Sequence, residues 1–145
     1  MNAKKALGIA LLALVAAATS GCATNKATAS LVAGADLGKV RSIYVAKEEG
    51  DDHDIDKLIV AYLSKKGYQV TTGPERKPPY DADAVVTYTD KWMWDITMYM
   101  LQLQITMRDK SAFPMANALS LHTSLTRKSP TEMVDEAMGN LLAAK

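Results

Sequence analysis

Apolar and polar residues alternate along Asp83–Asp109 without a single glycine or proline, the pattern of long strands. From Ala84 to Trp92 the even positions are Ala84, Val86, Tyr88, Asp90 and Trp92, and the odd ones are Val85, Thr87, Thr89 and Lys91. The even face is the more apolar and is expected to point inward. After Thr97 the phase changes: Tyr99, Leu101, Leu103, Ile105 and Met107 now alternate with Gln102, Gln104, Thr106 and Arg108. One strand cannot exchange its faces without a bend or an extra residue. The change predicts a tight turn or bulge at Trp94–Thr97 and hence a hairpin of two long strands.

The remaining elements read as cover for that hairpin. Val40–Ala46 predicts a strand, and Glu48–Asp52 an acidic loop. Ile55, Leu58, Ile59, Tyr62 and Leu63 then recur at helical spacing. Asp52, Asp54 and Asp56 suit the positive start of that helix, Lys65 and Lys66 suit its end, and Gly67 is a stop signal. Tyr68–Thr72 predicts a second strand, so that strand, helix and strand form a parallel crossover unit. Gly73–Tyr80 is a proline-rich loop, Lys110–Pro114 a turn, and Met115–His122 a further strand. Ser129-Pro130-Thr131-Glu132 is a capping box with proline at the first helical position. It opens a last helix with Met133, Val134, Ala137, Met138, Leu141 and Leu142 on one face. The order β-α-β-β-β-β-α predicts an α/β (α+β) two-layer sandwich, one mixed sheet with both helices on one face.

The first 21 residues are of another kind. Lys4 and Lys5 precede an apolar run, Ala6–Ala18, that falls short of the roughly 18 residues of a spanning helix, so it reads as a secretory signal. Gly21-Cys22 resembles the lipobox of bacterial lipoproteins, with Thr19 where leucine is commonest. The resemblance implies that Cys22, the only cysteine, is lipidated and becomes the new N-terminus. Cleavage after Ala16-Ala17-Ala18, leaving a free thiol and a soluble periplasmic protein, is the alternative. By resemblance to enteric lipoproteins, Ala23 after the cysteine implies sorting to the outer membrane, with the domain on the periplasmic side. Residues 22–38 read as the anchor and a flexible tether, and 39–145 as a single domain. Loss of Lys4 and Lys5 moves the formal charge from +1 to −1, so no bulk charge favours nucleic acid. With Cys22 committed to lipid, no disulfide is available.

Candidate chemistry is sparse, and no catalytic residue or cofactor is assigned. There is no glycine elbow around a serine, and His53 and His122 lie far apart in sequence. Asp51, Asp52, Asp54 and Asp56 fail the EF-hand pattern, because Lys57 occupies the glycine position and Leu63 that of the bidentate glutamate. Lys65-Lys66, Arg76-Lys77 and Arg127-Lys128 read as solvated ends of elements. Met98, Met100 and His122 are soft ligands suited to Cu(I) or Ag(I). Together with Trp94 they look like the ligand set of periplasmic copper and silver chaperones, whose barrel fold is different. That reading places Met98 and Met100 on the face of Gln102 and Gln104, opposite the helices, with His122 across from Met100. The same surface, with Trp92, Trp94, Met98 and Met100, supports docking of an envelope protein partner or self-association, since interfaces favour aromatic residues and methionine.

A family resemblance joins these features. The leader, Lys65-Lys66-Gly67-Tyr68, the stretch from Asp83-Ala84-Val85 to Trp92-Met93-Trp94-Asp95, and Arg127-Lys128-Ser129-Pro130 look like small proteobacterial lipoproteins. The element order is similar to lipoproteins with a fold like the amino-terminal domain of TolB or the lipopolysaccharide-assembly lipoprotein. The resemblance implies an accessory role in envelope assembly or maintenance, without enzymatic activity.

Overall fold

The apolar spacing seen in the sequence is what holds two layers together. The computed structural model describes residues 25–145. Its elements are β1 (Asn25–Leu31), β2 (Ser42–Lys47), α1 (Ile55–Lys65), β3 (Gln69–Pro74), β4 (Ala84–Asp95), β5 (Thr97–Asp109), β6 (Pro114–His122) and α2 (Pro130–Ala143). Six strands form one mixed sheet in the order β1-β6-β5-β4-β2-β3. β2 runs parallel to β3 and β4, and the β4-β5-β6-β1 part is antiparallel. Both helices lie on one face, so the sequence reading of a two-layer sandwich holds.

The core explains that arrangement. Ile55, Ile59 and Leu63 of α1 and Met133, Val134, Ala137, Met138 and Leu141 of α2 are buried against Ile43, Val45, Val86, Leu103, Ile105 and Met107. On β6 the helix-facing positions are small: Ala116, Ala118 and Ser120 are buried. Small residues there let α2 approach the sheet closely. The capping box forms as read, with Ser129 accepting from the Glu132 amide and Glu132 accepting from the Ser129 amide. Asp83 ties the starts of β2 and β4 together by accepting from the Arg41 and Ser42 amides, both at 2.9 Å. These bonds hold its carboxyl below the usual range.

On the opposite face, Tyr44, Ala46 and Val85 are buried beneath Tyr80 and Ala82 of the proline-rich loop. The Tyr44 hydroxyl donates to the Pro74 carbonyl at 2.6 Å, and the Arg76 guanidinium lies 4.4 Å from the ring centre. The rest of that face has no cover among the described residues.

Two expectations are corrected. The segment read as a flexible tether contains β1, which pairs along its length with β6, from Asn25 opposite His122 to Leu31 opposite Ala116. Ala27, Ala29 and Leu31 alternate with Lys26, Thr28 and Ser30, an amphipathic strand whose inner residues are mostly too small to register as apolar. The ordered domain therefore begins before residue 39. The second correction concerns the hairpin. Its turn falls at the predicted position, closed by Ile96 at φ 63°, but the phase is unchanged across it and is reversed only by a bulge further along. Lys91 pairs with Gln102 and Trp92 with Met100, leaving Leu101 as the extra residue. The bulge reverses the phase, so Met100 joins Leu103, Ile105 and Met107 on the helix side. The expected placement of Met98 and Met100 with the glutamines is overturned.

Candidate functional site

The hairpin is longer than the helices that cover it, and its far end is where the unusual surface lies. Trp92 and Met100, then Trp94 and Met98, form successive cross-strand pairs on the helix side of the sheet. Trp92 is half-buried, stacked on His53 with ring centres 3.7 Å apart, and its indole N–H donates to Asp90. Met100 is buried in the core. One pair further out the cover ends. Trp94 is 70 % exposed, Ile96 86 %, Met98 52 % and Met93 48 %. Of the four residues expected at a contact surface, the structure therefore leaves Trp94 and Met98 outside and takes Trp92 and Met100 inward. It adds Met93 and Ile96.

This tip is held rather than loose. Arg127 donates to the Thr97 hydroxyl at 2.8 Å and to the Asp95 carbonyl at 3.4 Å, and its guanidinium lies 4.8 Å from the centre of the Tyr99 ring. The same turn, Ser124–Thr126, presents Leu125 at 85 % exposure. Thr126 donates to the Asn25 side chain. The start of the described chain and the hairpin tip thus share one end of the molecule. Cys22 lies outside the described residues.

Met98, Met100 and His122, the residues of the soft-metal reading, lie on the helix side of the sheet rather than on the glutamine face. Met100 is inside, Met98 outside, and His122 is buried at the end of β6, where Asn25 is its partner. Gln102 is opposite Leu121, so β6 turns away before it reaches Met100. The His122 Nε2 is 2.7 Å from Glu136, and Nδ1 is buried without a partner. No group of three or more His, Cys, Asp or Glu suited to a metal ion occurs among the described residues.

His122 belongs instead to a network that sequence reasoning did not find. Glu136 of α2 accepts from Ser120 at 2.6 Å, and Lys128 closes on its other oxygen. Burial pushes the Glu136 carboxyl up, but the bonds from Lys128, Ser120 and His122 outweigh it and hold it at about 2. The serine hydroxyl is engaged as a donor to a carboxylate, an arrangement that docks α2 onto β6. A second network sits at the other helix. Asp51 accepts from the His53 amide at 2.9 Å, from the Asp56 amide at 3.3 Å and from the Tyr88 hydroxyl at 2.5 Å. Burial first and then the bond to Asp51 push the Tyr88 phenol far up. Burial and the neighbouring Asp90 also raise Glu48. The acidic run is thus used for fastening the start of α1, with Asp51 rather than Asp54 making the bonds. Tyr88, a hydroxyl on an inward face, was the signal that a buried acceptor had to exist.

Two open grooves lie away from the tip. One of about 830 Å³ lies between Val32–Asp36 and the Lys110–Met115 turn; one of about 890 Å³ is bordered by Glu48, Glu75, Arg76, Tyr80 and Arg108. Among the described residues no helix is long and apolar enough to cross a membrane.

No family model matches the chain, and no curated protein matches it in sequence. Its fold is similar to that of PelC from Paraburkholderia phytofirmans, solved as a dodecamer. The likeness has a TM-score of 0.56 at 14 % identity and covers 84 % of this chain and 98 % of that one. A point variant of the same dodecamer gives 0.55 at 11 % identity over 81 % and 94 %. A minor lipoprotein from Acinetobacter baumannii gives 0.38 at 11 % identity over 70 % and 94 %.

Proposed function

We propose that this chain is a lipid-anchored accessory protein of the bacterial envelope, held through Cys22 on the periplasmic side of the outer membrane, and that it works by docking rather than by catalysis. The hairpin tip carries the reading. Trp94, Ile96, Met98 and Met93 stand exposed on a rigid support, and a small domain has no packing reason to leave four such neighbours uncovered. A protein partner in envelope assembly or maintenance has two surfaces to meet: that tip, and the sheet face opposite the helices, where Leu119 and Leu121 stand among Gln104 and Asn117. Ser120 and His122 are tied to Glu136 beneath α2, which favours a structural role for them.

The test uses the full chain in a bacterial host, with a photo-crosslinking residue at Ile96, at Leu121 or at Asp135 on the outer side of α2. Docking predicts discrete light-dependent adducts from Ile96 or Leu121 and none from Asp135. Absence of adducts from both sites contradicts it. A second reading is favoured by the PelC dodecamers: copies of this chain associate with one another. Adducts at twice the mass of the chain would identify that case.

A further inference from the structure

Where the chain enters the domain decides what the tip can meet. Asn25 opens β1 beside His122, and Thr126 joins Asn25 to the turn that Arg127 fastens to the hairpin end. Cys22 precedes Asn25 by three residues, which span at most about 10 Å of extended chain. An anchor at Cys22 would therefore hold this end of the domain against the bilayer surface, with little slack to turn it away.

The side chains at that end have the composition of an interfacial contact. Trp94, Ile96 and Met98 on the tip and Leu125 on the adjoining turn are exposed apolar groups. Arg127 is exposed beside them, Lys26 and Lys91 are exposed on the strands that reach this end, and Lys128 is fastened to Glu136 just behind. Asp95 is the exposed carboxylate of the tip, and its charge lies 3.9 Å from Arg127. Tryptophan settles at the boundary between headgroups and acyl chains, while Lys and Arg favour anionic headgroups.

We infer that the hairpin tip, with Leu125, inserts into the same periplasm-facing leaflet that holds the anchor. The anchor and the tip would then be two points of contact that fix the orientation of the domain on the membrane. Two contacts from one rigid body also leave the open sheet face, with Leu119 and Leu121, directed along the membrane plane and free for a protein partner. This inference rests on the lipidation of Cys22.

The chain has two tryptophans, which makes a direct test available. Full chain processed in bacteria is reconstituted in phosphatidylethanolamine–phosphatidylglycerol vesicles containing brominated phosphatidylcholine, with Trp92→Phe leaving Trp94 as the sole indole. Its acylation is read separately from the intact mass. The expected result is an acylated chain whose Trp94 emission falls about twofold or more with bromines near the glycerol end of the acyl chains, and less with bromines near the methyl end. The Trp94→Phe chain, which keeps the stacked Trp92, should be quenched little; the difference between it and the native chain gives the same answer should Trp92→Phe fail to fold. An acylated chain whose Trp94 is not quenched overturns the tip inference and leaves the anchor standing. Shielding of Trp94 that depends on protein density without bromine quenching assigns the tip to a second copy and also overturns it. A chain that is not acylated overturns the anchor and, with it, this inference.

Discussion

The two ends of one hairpin show the same residues put to opposite uses. At its base Val86, Leu103, Ile105 and Met107 are buried beneath the helices. At its tip Trp94, Ile96 and Met98 continue the same strands into solvent. Length accounts for the difference. A strand of 13 residues such as β5 extends about 44 Å, whereas helices of 11 and 14 residues cover about 16 and 21 Å. The bulge at Leu101 lies where cover gives way to exposure, and it turns Met100 inward as the last β5 residue of the core. Hydrophobicity along a strand therefore does not mark its core; the reach of the layer above it does.

The comparison can be broken most directly by truncating one residue at each end. Leu103→Ala at the base should cost about 3 kcal/mol, read as a lower urea midpoint, because it removes buried contacts and leaves a cavity. Glu136→Gln should cost about 2 kcal/mol by weakening the bonds from Ser120, His122 and Lys128 that dock α2. The Glu136 effect has a pH signature. Its carboxyl is held at about 2 against an ordinary 4.5, so its stabilisation is complete above about pH 4.5 and disappears as the pH falls toward 2. The stability gap between native and Glu136→Gln chains should therefore shrink across that window. A constant gap would show that the network is held by shape and not by charge.

Smaller effects sharpen the contrast at the tip. Arg127→Ala should cost about 1 kcal/mol or less, yet release the tip, seen as lower steady-state anisotropy of Trp94 in a Trp92→Phe background. Ile96→Ser should change stability by no more than about 0.5 kcal/mol, since its side chain has almost nothing to lose. A cost similar to that of Leu103→Ala would mean that the tip packs on something.

Much of this architecture was legible in the residues. Ile55, Ile59 and Leu63 gave α1 through their spacing, Ser129 and Glu132 marked the start of α2, and the change of apolar phase between the two long strands signalled the hairpin. What escaped had weak local signatures. β1 hides because Ala27 and Ala29 are small, and its existence depends on pairing with β6 almost a hundred residues away. The bulge at Leu101 escaped because the turn at Ile96 keeps even residues on the helix side, so the one phase change, made by the bulge, was assigned to the turn. The pairing of His122 with Glu136 joins a strand to a helix and leaves no periodic trace. Of the exposed residues at the tip, Trp94 and Met98 were singled out through their residue types. The outward position of Ile96, and the inward ones of Trp92 and Met100, depend on where the helices stop.

Whether the hairpin tip is a contact surface and not part of the core is read from a Trp94→Ala, Ile96→Asp double variant of the full chain. Thermal unfolding and the Ile96-adjacent crosslink, moved to Met93, are measured on the same preparation. The expected result is a melting temperature within a few degrees of the native chain together with loss of the Met93 adduct, whether that adduct is to lipid or to protein. A variant that melts far lower, or one that keeps the adduct undiminished, would contradict it.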